Sequence, residues 1–212
     1  MSELSAAVVS IAKAMDEAGL APNKSGNVSC RDGDGFLITP SGVPYRDLVP
    51  ADVARLDATG DVRAASRRPS SEWRMHAAIY RRRTDVQAIV HTHSPGATAL
   101  ACAHRGIPAF HYMIALAGGD VRCAPYATFG TQALSDAALS ALDGRCACLL
   151  ANHGMLAFGR DLPHALALAI EFETLCEQYW RTAQRGPPQV LAAAEMARVL
   201  EKFSTYGQQS AT

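Results

Sequence analysis

The sequence has no excess of charge of either sign. Its 212 residues carry 20 Lys plus Arg against 20 Asp plus Glu, a formal net charge of zero. Without a basic field there is no expectation of nucleic acid or an anionic membrane as a partner. The short run Arg81-Arg82-Arg83 ends an expected helix, where cations complement the helix dipole, and reads as a solvated face. No CxxC pair occurs among the six cysteines, Cys30, Cys102, Cys123, Cys146, Cys148 and Cys176. They sit mostly among apolar neighbours and read as reduced core thiols of a cytoplasmic protein, not as a disulfide framework. No stretch approaches the roughly 18 apolar residues of a membrane span. The first residues lack a basic segment, and Lys13, Asp16 and Glu17 interrupt the apolar pattern, so no secretory signal is expected. Internal repeats and low-complexity segments are missing as well. What remains is a chain with 49% hydrophobic residues, long enough to bury a full core and read as a single domain over residues 1–212.

The stretch Val86-Gln87-Ala88-Ile89-Val90-His91-Thr92-His93 has the period of a strand. Residues two apart on a strand share a face, so His91 and His93 project together. Two imidazoles at a strand end are a ready pair of metal ligands, although the pair by itself also fits the polar end of a buried strand. A second apolar run, residues 146–153, also ends in a histidine, His153, before a tight turn at Gly154. Functional groups gather at such strand ends.

The elements between these landmarks follow from spacing. Leu4, Val8, Ile11 and Met15 predict an amphipathic helix over residues 3–18. Gly26-Asn27 leads into a strand, Gly33-Asp34-Gly35 reads as a hairpin turn, and Phe36-Leu37-Ile38 returns. Pro69-Ser70-Ser71-Glu72 opens a helix running to about Arg83, with serine as the expected N-cap. That arrangement has a structural reading, in which serine caps and Glu72 suits the dipole. It also has a functional one, an anion site with a carboxylate beside it. Further helices are expected from Ser94-Pro95 to about Gly106, over 131–142, 163–181 and 191–203. The small-residue loops near Gly26-Asn27 and Thr39-Pro40-Ser41-Gly42 could cradle a phosphate without a basic side chain.

Glu72, His91, His93 and His153 together make a borderline-soft divalent site. Zinc is the leading candidate, with manganese, cobalt and iron(II) as alternatives.

Five motifs carry a resemblance to a known family: Ser25-Gly26-Asn27-Val28-Ser29, Leu37-Ile38-Thr39-Pro40-Ser41-Gly42, Pro69-Ser70-Ser71-Glu72, His91-Thr92-His93 and Asn152-His153-Gly154. The chain resembles the class II aldolase and adducin family from about residue 5 to 208. Segments 107–115, 123–131 and 201–207 make it most similar to the members that cleave L-fuculose 1-phosphate. The resemblance implies a three-layer α/β/α fold around a central, largely antiparallel sheet, and a zinc held by His91, His93 and His153 with Glu72 as fourth ligand. It implies a phosphate pocket from Gly26, Asn27, Ser41, Gly42, Ser70 and Ser71, and an aldehyde end shaped by Phe129 and Tyr206. The same resemblance implies Glu72 and Tyr112 as catalytic groups, with Tyr112 reaching into a neighbouring subunit of a homotetramer. The expected reaction is cleavage of a ketose 1-phosphate, L-fuculose 1-phosphate first, to dihydroxyacetone phosphate and a small aldehyde such as L-lactaldehyde. The alternative substrates are 5-deoxyribulose 1-phosphate and 5-methylthioribulose 1-phosphate. A family epimerase or dehydratase ranks below these, and a metal-free scaffold lower still. Thr92, Asn152 and Lys24-Ser25 depart from the family pattern, and all three are expected to tune the aldehyde pocket.

Overall fold

The computed structural model describes residues 2–205. Helix α1 (Glu3–Glu17) is capped by the Ser2 hydroxyl, which accepts from the Ser5 amide at 3.2 Å. Its buried face is Val8, Val9, Ala12 and Met15, while Leu4 remains 41% exposed. The apolar stripe therefore lies slightly to one side of the expected one. Strands β1 (Asn27–Asp32) and β2 (Gly35–Ile38) form the anticipated hairpin. Gly33 takes φ +59° in its two-residue turn, a conformation that glycine adopts without steric cost. Strands β3 (Ala54–Asp57) and β4 (Val62–Ala64) follow; β3 carries no clear alternation and was not legible in the sequence.

Helix α2 spans Trp73–Arg82, strand β5 Ala88–Thr92 and helix α3 Pro95–Cys102. Two expectations change here. No serine side chain caps α2: Glu72 occupies the N-cap position and makes no capping bond. Helix α3 stops near Cys102, short of Gly106, because His104 turns the chain at φ +53°. Strand β6 (Arg122–Ala124), helix α4 (Gln132–Ala141), strands β7 (Ala147–Leu150) and β8 (Gly154–Gly159), helix α5 (Leu162–Ala183) and helix α6 (Ala193–Thr205) complete the described chain.

The eight strands form one sheet in the order β4-β3-β2-β1-β5-β8-β7-β6. It is mixed but mostly antiparallel, and among the described residues only the β6–β7 pair is parallel. Strand parity divides the core in two. Val28, Ala88, Val90, Leu149 and Met155 pack with α1, α3 and α5, whereas Ile38, Ile89, Cys148 and Leu156 pack with α2 and α4. All six cysteines are free; Cys30, Cys148 and Cys176 are buried, but Cys102 is exposed, which departs from the reading of core thiols. Among the described residues no helix is long and apolar enough to cross a membrane.

Candidate active site

Strand β8 lies between β5 and β7, pairing Thr92 with Met155 and Leu150 with Gly154. That insertion brings the ends of the two histidine-bearing strands together. Gly154 permits it, because a Cβ there would fall 2.1 Å from the Thr92 carbonyl oxygen. Asn152 takes φ +54° in the turn, and His153 emerges facing the end of β5. The three imidazoles pack edge to face, with ring centroids 4.8–4.9 Å apart. Glu72 approaches from the start of α2, with Oε2 3.1 Å from His91 Nε2 and Oε1 3.1 Å from His153 Nε2. One ligand atom from each of Glu72, His91, His93 and His153 lies within 4.8 Å of the others.

The chemistry of this donor set fits a divalent cation. His91 Nδ1 lies 2.9 Å from the Met155 carbonyl, which can only accept, so that nitrogen carries the proton. In the neutral ring, the Nε2 lone pair then points into the cluster, the tautomer a metal ligand needs. Burial, reinforced by like charge on His91 and His153, pushes His93 down to about 3. Burial also opposes a charge on His91, but the Glu72 carboxylate outweighs it and raises that imidazole. Glu72 itself would be raised by burial; the charge of His91 and the close His153 ring win, and the carboxyl is held well below its usual range. Its Oε1 is buried and, although 3.1 Å from His153 Nε2, makes no well-formed hydrogen bond, leaving an acceptor that a cation would satisfy.

Two loops lie beside the cluster and are laced together. Ser41 N donates to the Arg68 carbonyl and Ser70 N to the Thr39 carbonyl, both at 3.0 Å, with Pro40 and Pro69 forming a β-bridge between them. A third loop carries Gly26, held by the Tyr45 hydroxyl, which donates to its carbonyl at 2.6 Å. Gly26 takes φ +98°, and a Cβ there would meet the His91 carbonyl oxygen at 2.5 Å. The Gly26 loop is thus pressed directly onto strand β5, which carries His91, and only glycine allows it. A cleft of about 370 Å³ is lined by Gly26, Asn27, Ser41, Gly42, Ser70 and Ser71, and by Glu72, His93, His153 and Phe129. It also takes in Lys24, Ser25 and Asn152, three of the residues expected to tune it, and Tyr126, whose place in it was not clear from the sequence.

Other expected residues lie elsewhere. Tyr112 is 49% exposed beside His111 and Phe203 and does not line this cleft. Tyr206 lies outside the described residues. Thr92 is fully buried and cannot tune the aldehyde end. Strand parity turns it away from the histidines, and its hydroxyl lies 3.2 Å from that of Ser94. There Glu173 of α5 accepts from Ser94 Oγ (2.6 Å), Gly96 N (2.6 Å) and Ala97 N (2.8 Å). This buried carboxylate caps α3 one residue beyond His93, a role that mid-helix sequence does not reveal.

Comparison with known proteins decides the family. The family model described as "Class II Aldolase and Adducin N-terminal domain" matches residues 6–180. The chain belongs to the class II aldolase and adducin family. A 5-methylthioribulose-1-phosphate/5-deoxyribulose-1-phosphate aldolase from Rhodospirillum rubrum is 55% identical, covering 94% of this chain and 90% of the relative. An L-fuculose phosphate aldolase from Escherichia coli is 45% identical, covering 97% and 96%. A solved L-fuculose 1-phosphate aldolase structure superposes with a TM-score of 0.93 at 40% identity, covering 96% of this chain and 97% of that one. The chain is a class II aldolase, a lyase acting in sugar-phosphate metabolism, and the cluster at its strand ends suits the divalent metal of that class.

Proposed function

We propose that this class II aldolase cleaves 5-deoxyribulose 1-phosphate and 5-methylthioribulose 1-phosphate to dihydroxyacetone phosphate and a short aldehyde. The observation that carries the reading is the 55% identity to an aldolase named for those two substrates, against 45% to one named for L-fuculose phosphate. It reverses the order expected from sequence motifs, which put L-fuculose 1-phosphate first. The cleft supports it. Beyond the hydroxyl- and amide-lined seat, Tyr126 and Phe129 are 61% and 64% exposed and offer aromatic faces. Such faces suit a methyl or thioether tail, since sulfur packs favourably against aromatic rings.

In this reading Gly26, Asn27, Ser41, Gly42, Ser70 and Ser71 seat the phosphate, with Lys24 adding a cation at the rim. His91, His93, His153 and Glu72 hold zinc, or another divalent ion of similar preference. When bound, the ion supplies Lewis-acid stabilisation of the negative charge that develops on substrate oxygens, typically several kcal/mol. The C3–C4 bond breaks, and its electron pair passes to the enediolate of the phosphate-bearing fragment. Glu72 delivers the proton to C3, and Tyr112 from a neighbouring subunit takes the proton of the C4 hydroxyl as the aldehyde forms. General acid–base catalysis of this kind contributes roughly 10²–10⁴-fold. The exposure of Tyr112 and its absence from the lining of its own cleft support a contribution across a subunit boundary. We place this chemistry on a single domain with helices on both faces of its sheet, the three-layer α/β/α arrangement, assembled as a cytoplasmic homotetramer.

The test is dihydroxyacetone phosphate release from 5-deoxyribulose, 5-methylthioribulose and L-fuculose 1-phosphates by the zinc-loaded enzyme. A higher kcat/KM for the first two is expected; a preference for L-fuculose 1-phosphate overturns the assignment.

A further inference from the structure

Behind Glu72 runs a buried chain of polar groups, of which the reaction described above uses only the Asn27 end. Asn27 Nδ2 donates to Glu72 Oε2 at 3.0 Å. Asn27 Oδ1 lies 2.5 Å from His76 Nε2, and His76 Nδ1 lies 2.6 Å from Ser29 Oγ. Ser29 Oγ in turn lies 2.8 Å from the Tyr80 hydroxyl. Asn27 is 2% exposed, Tyr80 4%, and His76 and Ser29 are fully buried. Glu72, His76 and Tyr80 stand four residues apart, along one stripe of the entry and body of α2.

We propose that His76 is a positioning residue for Glu72, fixing the Asn27 amide as a hydrogen-bond donor to that carboxylate. The proposal rests on the reading of Glu72 as metal ligand and proton carrier.

The direction of the chain follows from chemistry. An ionised carboxylate only accepts, so Asn27 must present its N–H to Glu72 and its carbonyl to His76. His76 then carries its proton on Nε2, and its bare Nδ1 accepts from the Ser29 hydroxyl. Ser29 has given up its only hydrogen, so Tyr80 donates to it. Every donor points towards Glu72, and bonds aligned in this way polarise one another. Without His76 the Asn27 amide would be free to rotate its oxygen towards the carboxylate, replacing attraction with repulsion. Burial, assisted by His91, pushes His76 down to about 3, consistent with a neutral ring at working pH. The strand position of Asn27, opposite His91 on β1, ties the same residue to the metal-ligand strand. His76 therefore acts from outside the cleft, touching neither substrate nor ion, and its effect passes through Asn27.

The experiment compares His76→Leu, His76→Gln and Glu72→Gln by zinc affinity in chelator competition and by kcat and KM. In His76→Leu, zinc affinity and kcat are expected to fall about 10–100-fold, the usual cost of losing an outer-sphere partner. KM should move less than kcat, since Gly26, Ser41, Gly42, Ser70 and Ser71 of the phosphate seat make no contact with this chain of groups beyond Asn27. His76→Gln, which can restore an N–H near the Nε2 position, should recover most of both losses. Unchanged zinc affinity and kcat in His76→Leu, or equal losses in the Leu and Gln variants, would overturn the proposal. If the Leu variant does not fold, Ser29→Ala decides: it removes the donor that sets the tautomer, and wild-type values for both quantities would refute the chain. Nitrogen NMR of the wild-type protein should show His76 neutral and protonated at Nε2; protonation at Nδ1 reverses the donors and defeats the idea. Glu72→Gln separates the two levels. Losses there without losses in His76→Leu sink only the positioning role, whereas no losses in Glu72→Gln sink the reading on which it rests.

Discussion

Glu173 offers a measurable link between the core and the site. Its carboxylate is 8% exposed and accepts three hydrogen bonds of 2.6–2.8 Å, two of them from the first amides of α3. Glu173→Ala would strand those donors in the interior at the N-terminus of a helix. A hydrogen bond to a charged group contributes about 1.5–3 kcal/mol, and an orphaned buried donor costs about 1–3 kcal/mol. Water entering the vacated space recovers part of this, leaving an expected loss of about 3–5 kcal/mol. For a protein of this length that lowers Tm by on the order of 10 °C. Glu173→Gln should cost less, about 1–2 kcal/mol. Its remaining oxygen can still accept from an α3 amide, and the Ser94 hydroxyl can turn to accept from the new NH2. The assays are chemical denaturation of the metal-free protein and zinc affinity of the folded variants. Because Ser94 follows His93 directly, zinc affinity should fall in step with stability, Ala more than Gln. A Glu173→Ala protein within 1 kcal/mol of wild type would show that the capping argument fails.

Three further outcomes are expected. Removing one imidazole in His93→Ala should leave purified protein with zinc well below one ion per chain by elemental analysis; full occupancy would remove His93 from the ligand set. Mixing inactive Tyr112→Phe with inactive Glu72→Gln subunits should restore part of the activity, because some mixed sites would hold both intact groups, and a mixture as inactive as its parents would place Tyr112 outside the partner's site. Asp57 is held well below the usual carboxylate range, foremost by the Thr59 hydroxyl and against the effect of burial, with the amides of Thr59 and Asp61 and the side chain of Arg63 assisting. A depressed carboxyl stabilises fully above its unfolded pKa of about 3.9 and loses that contribution as pH falls towards the folded value. The stability gap between wild type and Asp57→Asn should therefore be constant above about pH 5 and narrow below about pH 4 in denaturation curves; a gap that widens on acidification contradicts the sign.

Much of the architecture was visible as periodicity. The β5 alternation and the Gly33 turn are local signals, and so is the stripe on α1, although it buries Val9 and Ala12 where Leu4 was expected inside. What misled was local chemistry with two readings. Ser70 and Ser71 look like caps, yet Glu72 holds the N-cap position and the Ser70 hydroxyl accepts from the Glu72 amide at 3.3 Å. Thr92 was expected at the aldehyde end because it departs from the family pattern, but its place between His91 and His93 on the strand puts it on the opposite face. Glu72, His76 and Tyr80 recur every four residues, a polar stripe on an otherwise apolar helix face that carries its own signal. Glu173 left no such trace, since its partners lie 76–79 residues away.

By itself the sequence determined which side chains could share a face, where the chain must turn, and that three imidazoles and a carboxylate were available at element ends. These depend on the fixed periods of strand and helix and on the conformational freedom of glycine. Only the tertiary structure decided that the four groups meet. That required β8 to slip between β5 and β7, with Gly154 and Gly26 letting backbones approach to distances a Cβ would forbid. The same packing set the electrostatics. Burial and mutual proximity, which no residue possesses alone, hold Glu72 ionised, press His93 towards the neutral form, and orient the Asn27 amide at the carboxylate.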